Sequence, residues 1–186
     1  MTVERFDDVA IGAGQAGPPL AARLAGAGRI VALVERRFHG GTCINTGCSP
    51  TKPLIASAKV AEMARRSAEL GTITGPVSTD MKAVRARVAG IVAKGRQDLT
   101  DWLASVRGLT LIHGHARLNG PRSLDDSGRT LEAQRIFINV GARPALPDLP
   151  GVRDVPTVDN TGMLALEELP SHLVVVGDGY IGLGFA

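Results

Sequence analysis

An α/β fold built on a parallel sheet is what this 186-residue sequence predicts, and three observations carry the prediction. A short apolar run, Val9–Ile11, ends in Gly12-Ala13-Gly14-Gln15-Ala16-Gly17, a G-x-G-x-x-G turn of the kind that joins a strand to a helix. A helical pattern and a second apolar strand closing on Glu35 come directly after it. The strand-then-glycine theme returns at residues 173–182.

Taken in order, Leu20, Leu24 and Ala27 recur at helical spacing after the first turn, and Gly26 and Gly28 end that helix. Pro18 and Pro19 fall in its first turn, where N–H groups have no intrahelical partner. Ile30 to Val34 is the next buried strand. Two helices are expected beyond the cysteines. One runs from about Pro50 to Leu70 and stops at Gly71. The other runs from about Asp80 to Val106, with Met81, Val84, Val88, Ile91, Val92, Leu99, Trp102 and Val106 as its apolar stripe. The segments "LTLIHGHARL" and "TLEAQRIFINVG" read as strands, with Asp125–Thr130 turning between extended segments in a small antiparallel meander. A proline-rich stretch, "ARPALPDLPGVRDVP", suits an exposed crossing. Leu173–Val176 reads as the first strand of a second dinucleotide-binding unit, followed by the glycines Gly177, Gly179 and Gly182.

Composition narrows the function. Hydrophobic residues make up 44% and charged residues 21%, the balance of an ordinary globular chain. The net charge is +3, and the basic residues (Arg65, Arg66, Lys82, Arg85, Arg87, Lys94, Arg96) are interleaved with apolar ones along helices. With aromatics at 3%, this is a solvated face and not a nucleic-acid stripe. The N-terminal residues carry charges throughout, unlike a signal peptide, and no apolar run approaches the ~18 residues of a membrane span. A cytoplasmic location is expected, and thiols there stay reduced unless they have work to do.

The glycine turn is the first chemical motif. Gly12 makes the tight bend, Gly14 lets backbone N–H groups approach a pyrophosphate, and Gly17 lets helix and strand pack closely. Glu35, eighteen residues beyond Gly17, ends the second strand where a ribose hydroxyl needs an acceptor. The second motif is "GGTCINTGCSPTKP", Gly40–Pro53, which holds both cysteines of the chain, Cys43 and Cys48. In a regular helix they would stand ~7.5 Å apart along the axis, whereas a disulfide needs Cα atoms about 4.4–6.8 Å apart. A bonded pair therefore needs residues 44–47 to bend back, and Asn45 and Gly47 tolerate such backbone. Ser49 is expected as an N-cap and Pro50 as the first helical residue. Cys48 then heads a helix, where the dipole favours thiolate, with Lys52 one turn on. An incidental buried pair, a metal site drawing on His39, and a structural disulfide compete with redox use. The glycines and the capped helix argue against the first. The lack of a second ligand pair argues against the second, and the compartment against the third.

"GGTCINTGCSPTK" resembles the redox-active motif of the pyridine nucleotide-disulfide oxidoreductases, the flavoprotein family of dihydrolipoyl dehydrogenase, glutathione reductase and mercuric reductase. Together with "IGAGQAGPPLA" it is most similar to the mercuric reductase-like branch, and the resemblance runs the length of the chain. It implies a Rossmann-like FAD-binding domain. In it, Gly12, Gly14 and Gly17 hold the pyrophosphate, Glu35 the adenosine ribose, Gly41 and Thr42 line the cofactor, and the Ala116 backbone meets the adenine. Cys48 would face the flavin, Cys43 would be the interchange thiol, and Lys52 would approach the flavin's reactive nitrogen. Gly141 ends a strand where the family writes Ala-Thr-Gly but this chain has Asn139-Val140-Gly141, and Gly184 stands where Glu is common. Gly177, Gly179 and Gly182 would serve NAD(P).

The organisation implied is an FAD-binding part at 1–150 with the cysteine pair, a linker at 151–170, and a truncated start of an NAD(P)-binding domain at 171–186. Electrons would pass between NAD(P)H and a small-molecule or protein disulfide, or another thiol-reactive substrate, in a role fitting cell redox homeostasis. No metal is expected in this part of the fold. The intact protein would be a homodimer whose interface domain, with its His–Glu pair, lies outside these residues. His113, His115 and His172 match no such role. The 186 residues alone are expected to bind FAD weakly or not at all and to lack full turnover. Two rival readings are a non-catalytic fragment and a flavin oxidoreductase that makes no use of its cysteines.

Overall fold

The computed structural model describes residues 2–126 and 128–186; Ser127, inside the expected turn at Asp125–Thr130, lies outside the described residues. The chain divides into two compact units, Met1–Asn45 with Ala93–Arg143, and Thr46–Val92 with Pro144–Ala186.

The first unit is a six-stranded sheet with helices. Its strands are β1 (Thr2–Ile11), β2 (Val31–Glu35), β3 (Leu109–His113), β4 (Arg117–Gly120), β5 (Ser123–Asp126) and β6 (Arg129–Ile138), in the spatial order β3-β2-β1-β6-β5-β4. The β3-β2-β1-β6 part is parallel and the β4-β5-β6 part is an antiparallel meander. This is the mixed, Rossmann-like arrangement expected of the sequence. Alternation sorts the side chains: Val9, Ala32 and Val34 join Leu124 and Leu131 on one face. Ala10, Val31 and Leu33 join Ala21, Ala25 and Leu103 on the other.

β1 extends well upstream of the expected Val9–Ile11, because a central strand can be charged where its charges are paired. Asp8 is fully buried within it, accepting hydrogen bonds from Arg29 of the α1–β2 turn and from Arg135 of β6, the latter at 2.7 Å. The helix α1 (Gly17–Gly26) also corrects its expected stripe. Pro18, Ala21 and Ala25 are buried, while Ala27 is exposed and Leu20 lies outside the core. Small residues bring the helix axis close to the sheet, so the larger side chains are turned aside.

In the second unit, α3 (Cys48–Arg65) follows α2 (Gly41–Thr46) after a single non-helical residue, Gly47. Residues 44–46 are therefore helical and do not form the broad bend expected; only Gly47, with φ -140° and ψ -113°, leaves helical backbone. Ser49 is not the cap, because the Thr51 amide already donates to the Gly47 carbonyl at 3.0 Å and starts the helix earlier. The α-helix ends at Arg65, short of the expected Leu70, and a 3-10 turn, Ser67–Leu70, continues to the expected stop at Gly71. The long helix α4 (Met81–Ser105) begins in the second unit and ends in the first. Only its last turns pack on the sheet: Leu103 is buried with Leu99 beside it, whereas Ile91 and Trp102 of the expected stripe are 41% and 45% exposed.

Two further departures lie near the chain's end. The 151–170 stretch contains a helix, α5 (Asn160–Ala165), whose first turn is capped by Asp159 accepting from the Gly162 amide at 2.8 Å. Leu173–Val176, expected as a strand, pairs with no strand among the described residues. A strand without a hydrogen-bonded neighbour gains no ladder to hold it. The glycine turn after it nevertheless forms, leading into α6 (Tyr180–Phe185).

Candidate functional site

The first glycine turn is as tight as the sequence demands. Gly12 adopts φ +101°, and a Cβ on Gly17 would lie 2.1 Å from the Gly12 carbonyl oxygen. Only hydrogen fits at position 17, so α1 starts directly over the end of β1 with its first amides facing the turn. The second turn repeats this geometry: Gly177 adopts φ +123°, and a Cβ on Gly182 would lie 2.2 Å from the Gly177 oxygen. The repeated sequence thus produces a repeated backbone.

Glu35 ends β2 beside the first turn. Its Oε2 accepts from the Ala13 amide and its Oε1 from the Arg37 amide, each at 2.8 Å. A carboxylate offers about four acceptor positions, so the pair of backbone bonds orients Glu35 and leaves capacity for further donors. Asn139 enters from the end of β6, donating from Nδ2 to the Gly12 carbonyl at 3.2 Å. Sequence reading marked Asn139 as a departure and missed this bracing contact. Ala116 lies between β3 and β4, packed on the core face that holds Val9 and Val34. Gly141 is exposed beyond β6 with φ +68°.

The segment after β2 is fastened to the same turn. The Gly40 amide donates to the Ala13 carbonyl at 2.7 Å. Gly41 adopts φ +55°, and a Cβ there would stand 2.7 Å from the Gly14 Cα. Its backbone is pressed onto the glycine turn, and α2 with Cys43 starts from that contact. Asn45 is fully engaged, donating to the carbonyls of His39 at 3.0 Å and Gly41 at 2.8 Å and accepting from Arg96 Nε at 2.9 Å. The Arg96 guanidinium also stacks 3.7 Å from the centroid of Phe38. Sequence reading placed Arg96 on a solvated helix face; no local pattern betrays a partner 51 residues away.

His39 packs against α4. The Thr100 hydroxyl gives its one hydrogen to the Arg96 carbonyl, so His39 Nδ1 is the donor in the 2.8 Å contact with Thr100 Oγ1. Burial pushes the imidazole below its usual range; Glu35 pulls it back up, and His113 pushes it further down. A neutral ring donating to threonine anchors a loop. Among the described residues no group of three or more His, Cys, Asp or Glu is arranged to hold a metal ion.

These contacts give a first prediction. Arg96→Ala removes the cap on Asn45 and the stack on Phe38, and amides 40–45 are expected to exchange with solvent about tenfold faster. Exchange at β1 and β6 should stay unchanged, as read by mass spectrometry of peptides. Rates at 40–45 unchanged from wild type would refute the bracket.

Cys43 is half-buried on α2, Thr42 beside it is exposed, and Cys48 is exposed at the start of α3. Lys52 lies exposed four residues along α3, on the same helix face as Cys48. No described helix is long and apolar enough to cross a membrane.

Comparison with known proteins follows the same outline. Residues 6–186 match the family model described as pyridine nucleotide-disulphide oxidoreductase. The chain is 36% identical over 191 residues to a probable pyridine nucleotide-disulfide oxidoreductase, RclA, of Escherichia coli K12, covering 99% of this chain and 40% of that protein. It is 32% identical over 176 residues to a mercuric reductase of Staphylococcus aureus, covering 95% of this chain and 32% of the relative. The solved structure of the HOCl-induced flavoprotein disulfide reductase RclA from Escherichia coli superposes with a TM-score of 0.81 at 36% identity, over 97% of this chain and 38% of that one. The chain thus spans about a third to two fifths of the length of these relatives. On sequence, fold and the repeated glycine turns together, it belongs to the pyridine nucleotide-disulphide oxidoreductase family.

Proposed function

We propose that this chain supplies the FAD site and the thiol pair of a flavoprotein disulfide oxidoreductase that passes electrons between NAD(P)H and a disulfide or another thiol-reactive substrate. The observation that carries the reading is the seating of Gly41 on Gly14, which starts the cysteine helix from the phosphate turn itself. A nucleotide turn and a thiol in one contact network is what electron exchange between a flavin and sulfur requires.

The turn fits a diphosphate: the space a Cβ would fill at Gly17 is closed by backbone, and α1 opens at that turn, where a helix's first N–H groups have no intrahelical acceptor. FAD and NAD(P)H are the cofactors of the family, and bound FAD would supply the two-electron acceptor for hydride. In this reading Gly12, Gly14 and Gly17 let the pyrophosphate approach, Glu35 accepts from the ribose, and Gly41 and Thr42 line the cofactor. The Ala116 and Gly141 backbones complete its walls, and Lys52 brings positive charge towards its reactive end. Gly177, Gly179 and Gly182 belong to the pyridine nucleotide site.

The thiols divide the remaining work. Cys43 thiolate attacks one sulfur of a substrate disulfide, which releases one thiolate and leaves a mixed disulfide. Cys48 thiolate then attacks the Cys43 sulfur, releasing the second substrate thiol and closing a Cys43–Cys48 disulfide. Two electrons leave the protein in each cycle and return through Cys48. The same proposal takes residues 1–150 as the FAD-binding part, 151–170 as linker and 171–186 as the opening of the NAD(P)-binding part, in a protein acting as a homodimer.

The test is the absorbance spectrum of the full-length protein on anaerobic addition of two electrons per flavin. A long-wavelength band between thiolate and oxidised flavin is expected. A protein that purifies without flavin, or that shows no such band, refutes the reading.

A further inference from the structure

Pro50 lies in the first turn of α3 and has no N–H. Thr46 ends α2, and the last carbonyls of a helix have no intrahelical donor. With Gly47 as the N-cap of α3 and Pro50 lacking an N–H, α3 supplies none to the Thr46 carbonyl either. Asn160, the first residue of α5, supplies one instead, with Nδ2 donating to the Thr46 oxygen at 2.7 Å. The next carbonyl, that of Gly47, accepts from the Thr51 amide at 3.0 Å. Both carbonyls leading into Cys48 are thus held, one by α3 and the other by a side chain 114 positions away.

Asn160 is itself well placed for this. It follows Asp159, whose carboxylate caps α5 and whose carbonyl accepts from the Met163 amide at 2.8 Å. Both Asn160 and Thr46 are half-buried, so water competes weakly for the bond. Asparagine suits the position chemically, because its short amide donates at neutral pH without bringing a charge to the thiol. Aspartate there would set carboxylate lone pairs against the Thr46 oxygen.

We infer that Asn160 is a positioning residue for the redox thiol Cys48. Its amide holds the Thr46–Gly47 step in the conformation from which Cys48 enters a disulfide, and so it sets the poise of the pair. The inference rests on the reading of Cys43 and Cys48 as a redox couple.

The experiment is the thiol–disulfide equilibrium of the full-length protein with dithiothreitol, without pyridine nucleotide. In that exchange the Cys43–Cys48 bond breaks and the cyclic bond of oxidised dithiothreitol forms, two electrons and two protons passing from reagent to protein. Wild type, Asn160→Ala, Asn160→Asp and Asn160→Gln are compared by trapping thiols with a mass-tagged maleimide, and melting temperatures are recorded alongside. Losing the clamp lets the dithiol form explore more conformations, so Asn160→Ala and Asn160→Asp should shift the equilibrium roughly three- to tenfold towards dithiol. That corresponds to a potential about 14–30 mV more positive. Asn160→Gln, which keeps the donor, should lie nearer wild type. Equal constants for wild type and the Ala and Asp variants overturn the inference and leave the redox reading standing, whatever the melting temperatures do. If Asn160→Asp fails to fold, the Ala and Gln variants make the same decision. Wild-type thiols that show no reversible exchange overturn the redox reading, and the inference with it.

Discussion

Cys48→Ser is expected to abolish disulfide reduction driven by NAD(P)H in the full-length protein, with a loss of roughly three or more orders of magnitude. A serine hydroxyl is neither a thiolate at neutral pH nor able to close a disulfide, so no residual route remains through sulfur. Cys43→Ser should lose disulfide reduction equally. The two substitutions separate in the spectrum: Cys48→Ser should lose the long-wavelength band on reduction, and Cys43→Ser should keep it. Steady-state assay with a disulfide substrate and an anaerobic titration of each variant check both halves. Retained turnover in both serine variants would point to a flavin enzyme that ignores its cysteines. Neither change should disturb folding, since Cys48 is exposed and Cys43 lies outside both buried clusters.

The second large effect concerns stability. Asp8→Asn should lower the unfolding free energy by about 2–4 kcal/mol, towards the lower side of what breaking a buried ion pair costs. Asp8 is fully buried, but its partners Arg29 and Arg135 keep 27% and 52% of their side chains exposed and regain water when it goes. The melting temperature should fall by roughly 5–15 °C for a chain of this length. The acid limb provides an internal check. Burial alone would raise the Asp8 carboxyl, yet hydrogen bonds and charge from Arg29 and Arg135 outweigh it and hold the group below its usual range. A carboxyl depressed in the folded state stabilises the fold fully above its unfolded value, about 3.9. That contribution is lost as pH falls through the folded value. Wild type and Asp8→Asn should therefore differ most above about pH 5, begin to converge near the unfolded value of about 3.9, and meet only once pH falls through the lower folded value, as measured by urea denaturation across pH. A gap of constant size down to pH 2 would mean that the carboxylate charge is not what stabilises this strand.

Asp8 also shows why β1 was only partly legible. Glu4, Arg5, Asp7 and Asp8 are charged, and only the apolar run Val9–Ile11 marks a strand in the local pattern. The ladder to β6 supplies what local pattern could not, because it pairs Asp8 with Arg135, 127 residues on. The α4 stripe held at most of its positions: Met81, Val84, Val88, Val92, Leu99 and Val106 are half-buried, and it departs only at Ile91 and Trp102. Its apolar period is genuine along the helix, but full burial comes only at Leu103, in the sheet's core cluster, while Ile91 and Trp102 stay 41% and 45% exposed. Leu173–Val176 has strand chemistry but pairs with no strand among the described residues.

The sequence by itself determined the two glycine turns, the placement of Glu35 at a strand end beside the first, and the segment that carries both cysteines. Each of these depends on backbone allowed or forbidden within a few residues, and Gly12, Gly17, Gly177 and Gly182 leave little choice. Tertiary structure decided what holds those pieces in place: Asn139 on Gly12, Arg96 on Asn45, Asn160 on Thr46, and two arginines on Asp8. Such contacts join side chains far apart in sequence, and one donor or acceptor among many looks alike until the fold brings its partner within 3 Å or so.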